Sequence, residues 1–536
     1  MKRVLLAAAA VALVGGLHAE TRTDNGGIDL SMTSRIRQEA FSRSQVMPLL
    51  NHLTEEIGPR LTNSPAMAQA NAWTRSKFNE WGLANVHDEA MAEPFGRGWE
   101  FRSASVEMLS PRAFPLHALP KAWTPGTNGP VEGEAIAAKL ESKADLEKFK
   151  GKLKGKIVFI GDARAYKPGE KADWNRETDE TLAAMKALAV PADEKPGSRD
   201  EAREKRRQRM EFAPLLNKFL MEEGVLASVS ASGWDNGIIL VSGGGSRKAG
   251  ESVGVPSLAM ASEHFNTVMR ALDRKQPVRL RVNVDANFTS DADQPAYNTI
   301  AEIPGTGPHR NEIVMLGAHM DSWHAGTGAA DNGAGVAVMM EAMRILKAVG
   351  AKPDRTIRVA LWTGEEQGLL GSADYVSRHF GKFAEPTDPK EKEVPAFLRT
   401  SRGKLERTRD YGNFAAYFNL DNGGGKIRGV YAQENVEVAP IFESWLKPFN
   451  DVGATIVTQR NTGSTDHVSF DRIGLPGFQF VQDGLDYFTN VHHSDLDVLD
   501  HIVPEDLKQA SAIVASFAYN AAMRPEKLPR KPLAEE

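Results

Sequence analysis

Three short apolar runs in the C-terminal half of this 536-residue chain each stop on charged or turn-forming residues. Ile313-Val314-Met315-Leu316 leads into Gly317-Ala318-His319-Met320-Asp321. Ile357 to Trp362 leads into Thr363-Gly364-Glu365-Glu366, and Phe414 to Leu420 into Asp421-Asn422-Gly423. Helical text separates them, clearest from Gly333 to Val349. Short continuous apolar runs read as strands buried on both faces, and their alternation with helices predicts an α/β unit with a largely parallel sheet. Ligands of such sheets sit beyond the carboxyl ends of the strands. The residues that end these runs are therefore the candidates for chemistry.

Those residues are His319, Asp321, Asp331, Glu365, Glu366 and Asp421, joined by His492 and His493 after the Pro476 to Gln482 strand and its loop. The chain has no Cys, which removes thiolate metal sites, disulfides and cysteine nucleophiles together. Any metal must then be held by His, Asp and Glu. Adjacent Glu365 and Glu366 in near-apolar text repel each other unless a cation offsets them. Read jointly, the set offers two imidazoles, at least three carboxylates and a spare carboxylate for a base. That suits a pair of divalent cations, zinc among them, which activates a water and polarises a carbonyl. Asp331 opens a Gly-rich helix start, Asp331-Asn332-Gly333-Ala334-Gly335. It can bridge two ions there, or serve as a plain helix N-cap.

Residues 1–19 combine Lys2 and Arg3, an apolar stretch from Val4 to Val14 and a small residue at Ala19, the layout of a secretory leader. With no later apolar run long enough to span a bilayer, the mature chain is expected to be secreted or periplasmic, without a stable membrane span. The net charge of -5 gives no basic field for nucleic acid. Helical periodicity runs from Ser42 to Glu56 and again to about Trp81, and the Pro/Gly-rich stretch from Pro120 to Pro130 reads as a boundary. Beyond it come short strands at Ile157 to Ile160, Gly237 to Val241 and Val255 to Leu258, with a mixed-charge segment near 200–211 that reads as a solvated helix.

Four strings carry a resemblance: Gly317-Ala318-His319-Met320-Asp321-Ser322, Gly328-Ala329-Ala330-Asp331-Asn332-Gly333-Ala334-Gly335, Trp362-Thr363-Gly364-Glu365-Glu366-Gln367-Gly368-Leu369-Leu370-Gly371-Ser372 and His493-Ser494-Asp495-Leu496-Asp497. Ile57 to Thr62 and Asn298 to Gly305 support them. In this order and spacing the chain resembles the M28 family of dizinc metallopeptidases. The middle section, with Lys154-Gly155-Lys156-Ile157-Val158 and Gly254-Val255-Pro256-Ser257-Leu258, is similar to the protease-associated (PA) domain that some members carry. The resemblance implies a signal peptide at 1–19, catalytic-domain parts at 20–120 and 286–536, and a smaller β-rich PA insertion at 121–285. It implies a mixed, largely parallel sheet flanked by helices.

It also implies roles. His319 and Asp421 would bind one zinc, Glu366 and His493 the other, and Asp331 would bridge both. Asp421, followed by Asn422-Gly423-Gly424-Gly425, departs most from the family pattern, and Asp410 is a poorer rival because it precedes its strand. Glu365 would be the general base, Asp321 would orient His319, and Asp497 would orient His493. His492 would stabilise an oxyanion or satisfy backbone groups. Asp466 and His467, in Gly463-Ser464-Thr465-Asp466-His467, would lie near the substrate, Ser464 or Thr465 doubling as a helix cap. The expected activity is a secreted zinc aminopeptidase acting on peptides. Alternatives are a dipeptidase or carboxypeptidase of the plasma glutamate carboxypeptidase type, a one-zinc relative that cyclises N-terminal glutamine, or a receptor-like binding protein. The filled ligand positions speak against the last. The insertion reads as a lid, a specificity wall or a contact in a homo-oligomer.

Overall fold

The computed structural model describes residues 28–166, 169, 172–188, 198–392 and 403–533, so the leader read at 1–19 lies outside the described residues. One eight-stranded sheet runs in the spatial order Ala84–Ala90, Tyr297–Ile303, Thr356–Trp362, Ile313–His319, Phe414–Asn419, Gly477–Gln482, Ile427–Tyr431 and Ile456–Thr458. The four central strands, from Thr356–Trp362 to Gly477–Gln482, are parallel. Antiparallel strands join on both sides.

The strand period of two divides each central strand between two cores. Val314, Leu316 and Ala318 pack with Leu346, Ile513 and Phe517 of the helices Ala334–Ala348 and Pro504–Met523. Met315 packs on the other face with Trp362, Tyr375, Tyr417 and Phe470. Burial of both faces explains why these strands are apolar without alternation. Polar groups inside these strands need partners, as Arg358 has in Glu302 and Gln479 in Asn419, and the carboxyl ends carry the rest. The fold is mixed α/β, with helices flanking the sheet.

A second eight-stranded sheet is built in the order Phe114–Leu116, Trp99–Ser110, Arg279–Phe288, Val131–Ala138, Lys156–Ile160, Ala227–Ala231, Ser257–Met260 and Ala118–Pro120. It reaches further back than the boundary expected at residue 121. Trp99–Ser110 pairs along Arg279–Phe288, and the Pro/Gly-rich stretch is a connection inside this unit. Gly237 to Val241, expected as a strand, stays outside the sheet, and its Leu240 bridges Ser494 of the first unit. The mixed-charge segment lies in the helix Ser198–Glu222, with Lys205 to Met210 exposed. Among the described residues no helix is long and apolar enough to cross a membrane.

Gly317 sits where the two cores and the site meet. Trp362 Nε1 donates to Tyr417 Oη at 2.7 Å directly against it. A Cβ at 317 would overlap Tyr417 Oη and lie 2.7 Å from Trp362 Nε1. Both rings are fully buried and cannot retreat. Gly317→Ala is expected to cost about 1–3 kcal/mol by overpacking, read as a lower urea midpoint at unchanged slope.

Candidate metal centre

The parallel strands deliver their chemistry to one edge. His319 ends one strand, Glu365 and Glu366 follow the next, and Asp421 follows a third. His319 Nε2 lies 3.2 Å from Asp421 Oδ1 and 3.3 Å from Asp331 Oδ1. The other oxygen of Asp331, Oδ2, lies 3.4 Å from His493 Nε2, and that same nitrogen lies 2.9 Å from Glu366 Oε2. One carboxylate thus faces two imidazoles with different oxygens. Glu365 Oε2 is 4.0 Å from His319 Nε2.

Backbone and side-chain hydrogen bonds fix these positions. His319 Nδ1 faces the Asp321 carbonyl at 2.8 Å, leaving Nε2 for the centre. The Asp321 carboxylate accepts from the amides of Glu365 and Glu366, at 3.2 and 3.3 Å, and from Thr62 Oγ1 at 2.9 Å. Asp331 adopts an extended backbone before its helix, and Asn332 takes the capping role, its Oδ1 accepting from Gly335 N at 3.1 Å. The N-cap alternative for Asp331 is therefore not realised. The Asp497 carboxylate accepts from the amides of Ala330, at 2.6 Å, and Asp331, at 3.3 Å. Arg60, fully buried, donates to the carbonyls of Met320, Thr327 and Gly328 and so binds both ends of the loop between His319 and Asp331.

Negative charge concentrates here beyond what burial tolerates. Burial pushes Glu365 and Glu366 well above the usual carboxylate range, with neighbouring carboxylates adding to the shift despite His319. Burial likewise lifts Asp466 to about 7 and Asp497 to about 8. Burial would lower His319, but Asp421 and Glu365 outweigh it and hold the imidazole well above its ordinary value. For Asp331, burial is outweighed by the His319 hydrogen bond and the His493 charge, which draw it far down. Asp331 Oδ2 and Glu366 Oε1 are buried without a hydrogen-bond partner. His319, Asp331 and Glu366 form one group able to hold a metal ion and Asp331, His492 and His493 another, each with its ligand atoms within 4.8 Å. Imidazole nitrogens and carboxylate oxygens in this mixture are a donor set that zinc accepts.

A sequence model of Peptidase family M28 matches residues 298–518, which hold every one of these donors. That segment, residues 298–518, is what the chain shares with peptidase family M28. Carboxypeptidase Q of Mus musculus is 26% identical over 504 residues, covering 94% of this chain and 90% of its own length. The crystal structure of a peptidase M28 precursor from Shewanella amazonensis superposes with a TM-score of 0.63 at 25% identity, over 95% of this chain and 99% of that one. A zinc aminopeptidase from Bacillus subtilis shares the fold, with a TM-score of 0.53 at 20% identity over 90% of this chain and 95% of its own.

Within this centre the predicted residues His319, Asp331, Glu365, Glu366, Asp421 and His493 converge, and His492 stacks on His493 with ring centroids 3.7 Å apart. Two positioning expectations change. Asp497 holds the backbone of Ala330 and Asp331 in place of the His493 ring, because its carboxylate points at two free amides. Asp321 orients His319 through its carbonyl, its carboxylate being engaged by the Glu365 and Glu366 amides. Asp466 is fully buried, and His467 Nε2 faces the Thr462 carbonyl at 3.0 Å. Thr465 Oγ1 accepts from Asn419 Nδ2 at 2.8 Å and so ties this turn to the central strand. Sequence reading assigned no task to Arg60, Thr62 or Asn332. The motif strings contain all three, but only the fold brings their partners into reach.

These shifts set a pH dependence. His324 and His467, lowered to about 4 by burial, contribute stability that grows as pH rises through about 6.5, where the unfolded imidazoles are half titrated. Above that, unfolded carboxylates are already ionised while Asp466 and Asp497 in the folded chain still hold protons, and His319 holds its own. The folded state then binds more protons than the unfolded, so stability falls as pH rises. The thermal midpoint of chelator-treated protein should drop between about pH 6.5 and 8. Added zinc should remove that drop by supplying the missing positive charge, which thermal scans with and without zinc will measure.

Proposed function

We propose that the chain is a two-zinc exopeptidase, with His319 and Asp421 on one ion, Glu366 and His493 on the other, and Asp331 between them. The observation that carries this reading is the division of the Asp331 carboxylate, Oδ1 toward His319 and Oδ2 toward His493. Zinc bound there supplies Lewis acidity to a substrate carbonyl and lowers the pKa of water. Glu365 is the base: its side chain keeps 10% of its surface exposed against 2% for Glu366, so it reaches the opening while its neighbour faces inward. It takes a proton from the attacking water and returns it to the leaving amine. Burial and neighbouring carboxylates raise its proton affinity in the metal-free chain, and bound cations act in the opposite sense, keeping it ionised to accept that proton. His492, 4.0 Å from Asp331 Oδ2, is placed to donate to the oxygen that gains charge.

The main reading is removal of N-terminal residues from peptides, an activity that the name of the Bacillus subtilis neighbour shares. A second reading, dipeptidase or carboxypeptidase action, is favoured by the likeness to carboxypeptidase Q along 94% of the chain. The second unit is read as the PA-like insertion, and the leader at 1–19 puts the enzyme outside the cytoplasm. Glu365→Gln should keep its zinc by elemental analysis yet lose about 10²–10⁴-fold in kcat; wild-type turnover would remove Glu365 from the base role. Zinc-loaded protein incubated with free, N-acetylated and C-amidated peptides separates the directions. Products confined to free amines support the aminopeptidase, and products confined to dipeptides support the second reading. A fully zinc-loaded chain inert on all of them overturns the peptidase proposal.

A further inference from the structure

His493 stands out among the predicted ligands because its backbone is left-handed, at φ 59°, a conformation that a residue with a Cβ adopts only when its surroundings impose it. His493 is the third position of a tight turn, with His492 at φ -52° and ψ 117°, closed by Ser494 N–H donating to the Val491 carbonyl at 2.9 Å, and the second unit braces that turn from outside. Val241 N–H donates to the His493 carbonyl at 3.1 Å, and Asp495 N–H donates to the Ile239 carbonyl at 3.1 Å. Ile239 N–H in turn donates to Asp495 Oδ1 at 2.8 Å. Leu240 and Ser494 form an antiparallel bridge between them. The segment that makes these bonds is itself tied into the second unit. Ser232 Oγ accepts from Leu240 N at 2.9 Å and donates to the Ile238 carbonyl at 2.8 Å, and Ala122 N donates to the Ser242 carbonyl at 3.0 Å. On the other side His117 Nε2 lies 3.4 Å from Asp495 Oδ2, and Trp323 packs between Trp123 of the second unit and the His493 ring.

His319 has no such dependence. It ends a strand of the first sheet, and its own unit fixes it through the Asp321 carbonyl. From this contrast we infer that the second unit is a structural part of the metal centre: Ile239, Leu240 and Val241, latched by Asp495, hold His493 in its ligating conformation and so set the affinity of the Glu366–His493 site alone. The inference rests on the two-zinc reading. Asp495 is a positioning residue in this scheme, acting through the Ile239 amide and the backbone around His493.

Zinc titration of the full chain against a chelator tests it, beside thermal scans of the metal-free proteins. Wild type should bind two zinc ions. Asp495→Ala should weaken one of them by about tenfold or more, as loss of an outer-shell partner does, and leave the other within about twofold. Asp495→Asn, which keeps an acceptor oxygen for Ile239 N–H, should restore the wild-type affinity. In a His493→Ala background, Asp495→Ala should cause no further loss, because the ligand it serves is gone. Wild-type affinity at both sites in Asp495→Ala overturns the inference. So does an equal loss at both sites with a lowered metal-free midpoint, which marks general unfolding. A wild-type chain that binds a single zinc overturns the two-zinc reading and the inference together, and is distinguished by needing no variant.

Discussion

The rest of the structure depends on buried negative charge that cannot stand alone. Asp331, Glu365, Glu366, Asp421 and Asp466 crowd around two imidazoles at the edge of the central sheet, most of them with almost no exposed surface. Isolated buried carboxylates cost far more than a small domain can spare, so such a cluster persists only with cations, protons or a dense shell of donors. The protein uses the last two for the groups that position, and leaves oxygens of Asp331 and Glu366 without a hydrogen-bond partner. Both oxygens of Asp466, outside the proposed ligand set, are left without one as well.

The scaffold is mostly backbone. Asp321 gathers the amides of Glu365 and Glu366, Asp497 gathers those of Ala330 and Asp331, and Arg60 gathers the carbonyls around them. These three buried charges are met by peptide groups aimed at them. Such groups have little freedom to reorganise, so the geometry is preformed. The helices Ala334–Ala348 and Pro504–Met523 press the sheet from one side, and the aromatic cluster of Trp362, Tyr417 and Phe470 closes the other.

Much of this could be read along the chain. Buried parallel strands write themselves as unbroken apolar runs, and polar side chains are admitted at their carboxyl ends, so His319, Glu365, Glu366 and Asp421 declare both their place and their chemistry. What the chain does not declare is which amide a carboxylate will find. Asp497 looks like a partner for the nearby His493, but its partners are 166 and 167 residues away in sequence. Gly237 to Val241 has the composition of a strand, and whether it joins its own sheet or bridges to Ser494 is decided by packing between units. The Pro/Gly-rich stretch from Pro120 to Pro130 shows the same ambiguity: proline and glycine mark a turn, and a turn inside a sheet looks like a turn between domains.

Arg60 carries a consequence for how the molecule comes into being. Its guanidinium joins the first helices to carbonyls about 260 residues downstream, and Asp497, near the other end of the chain, closes the same loop. Contacts of such separation form late, after the chain between them has been ordered. During synthesis His319 and Asp331 therefore leave the ribosome well before Asp497, which locks the backbone at Ala330 and Asp331. The centre assembles only when nearly the whole polypeptide has been made. A chain with the chemistry proposed for it thereby lacks its complete centre for most of its synthesis.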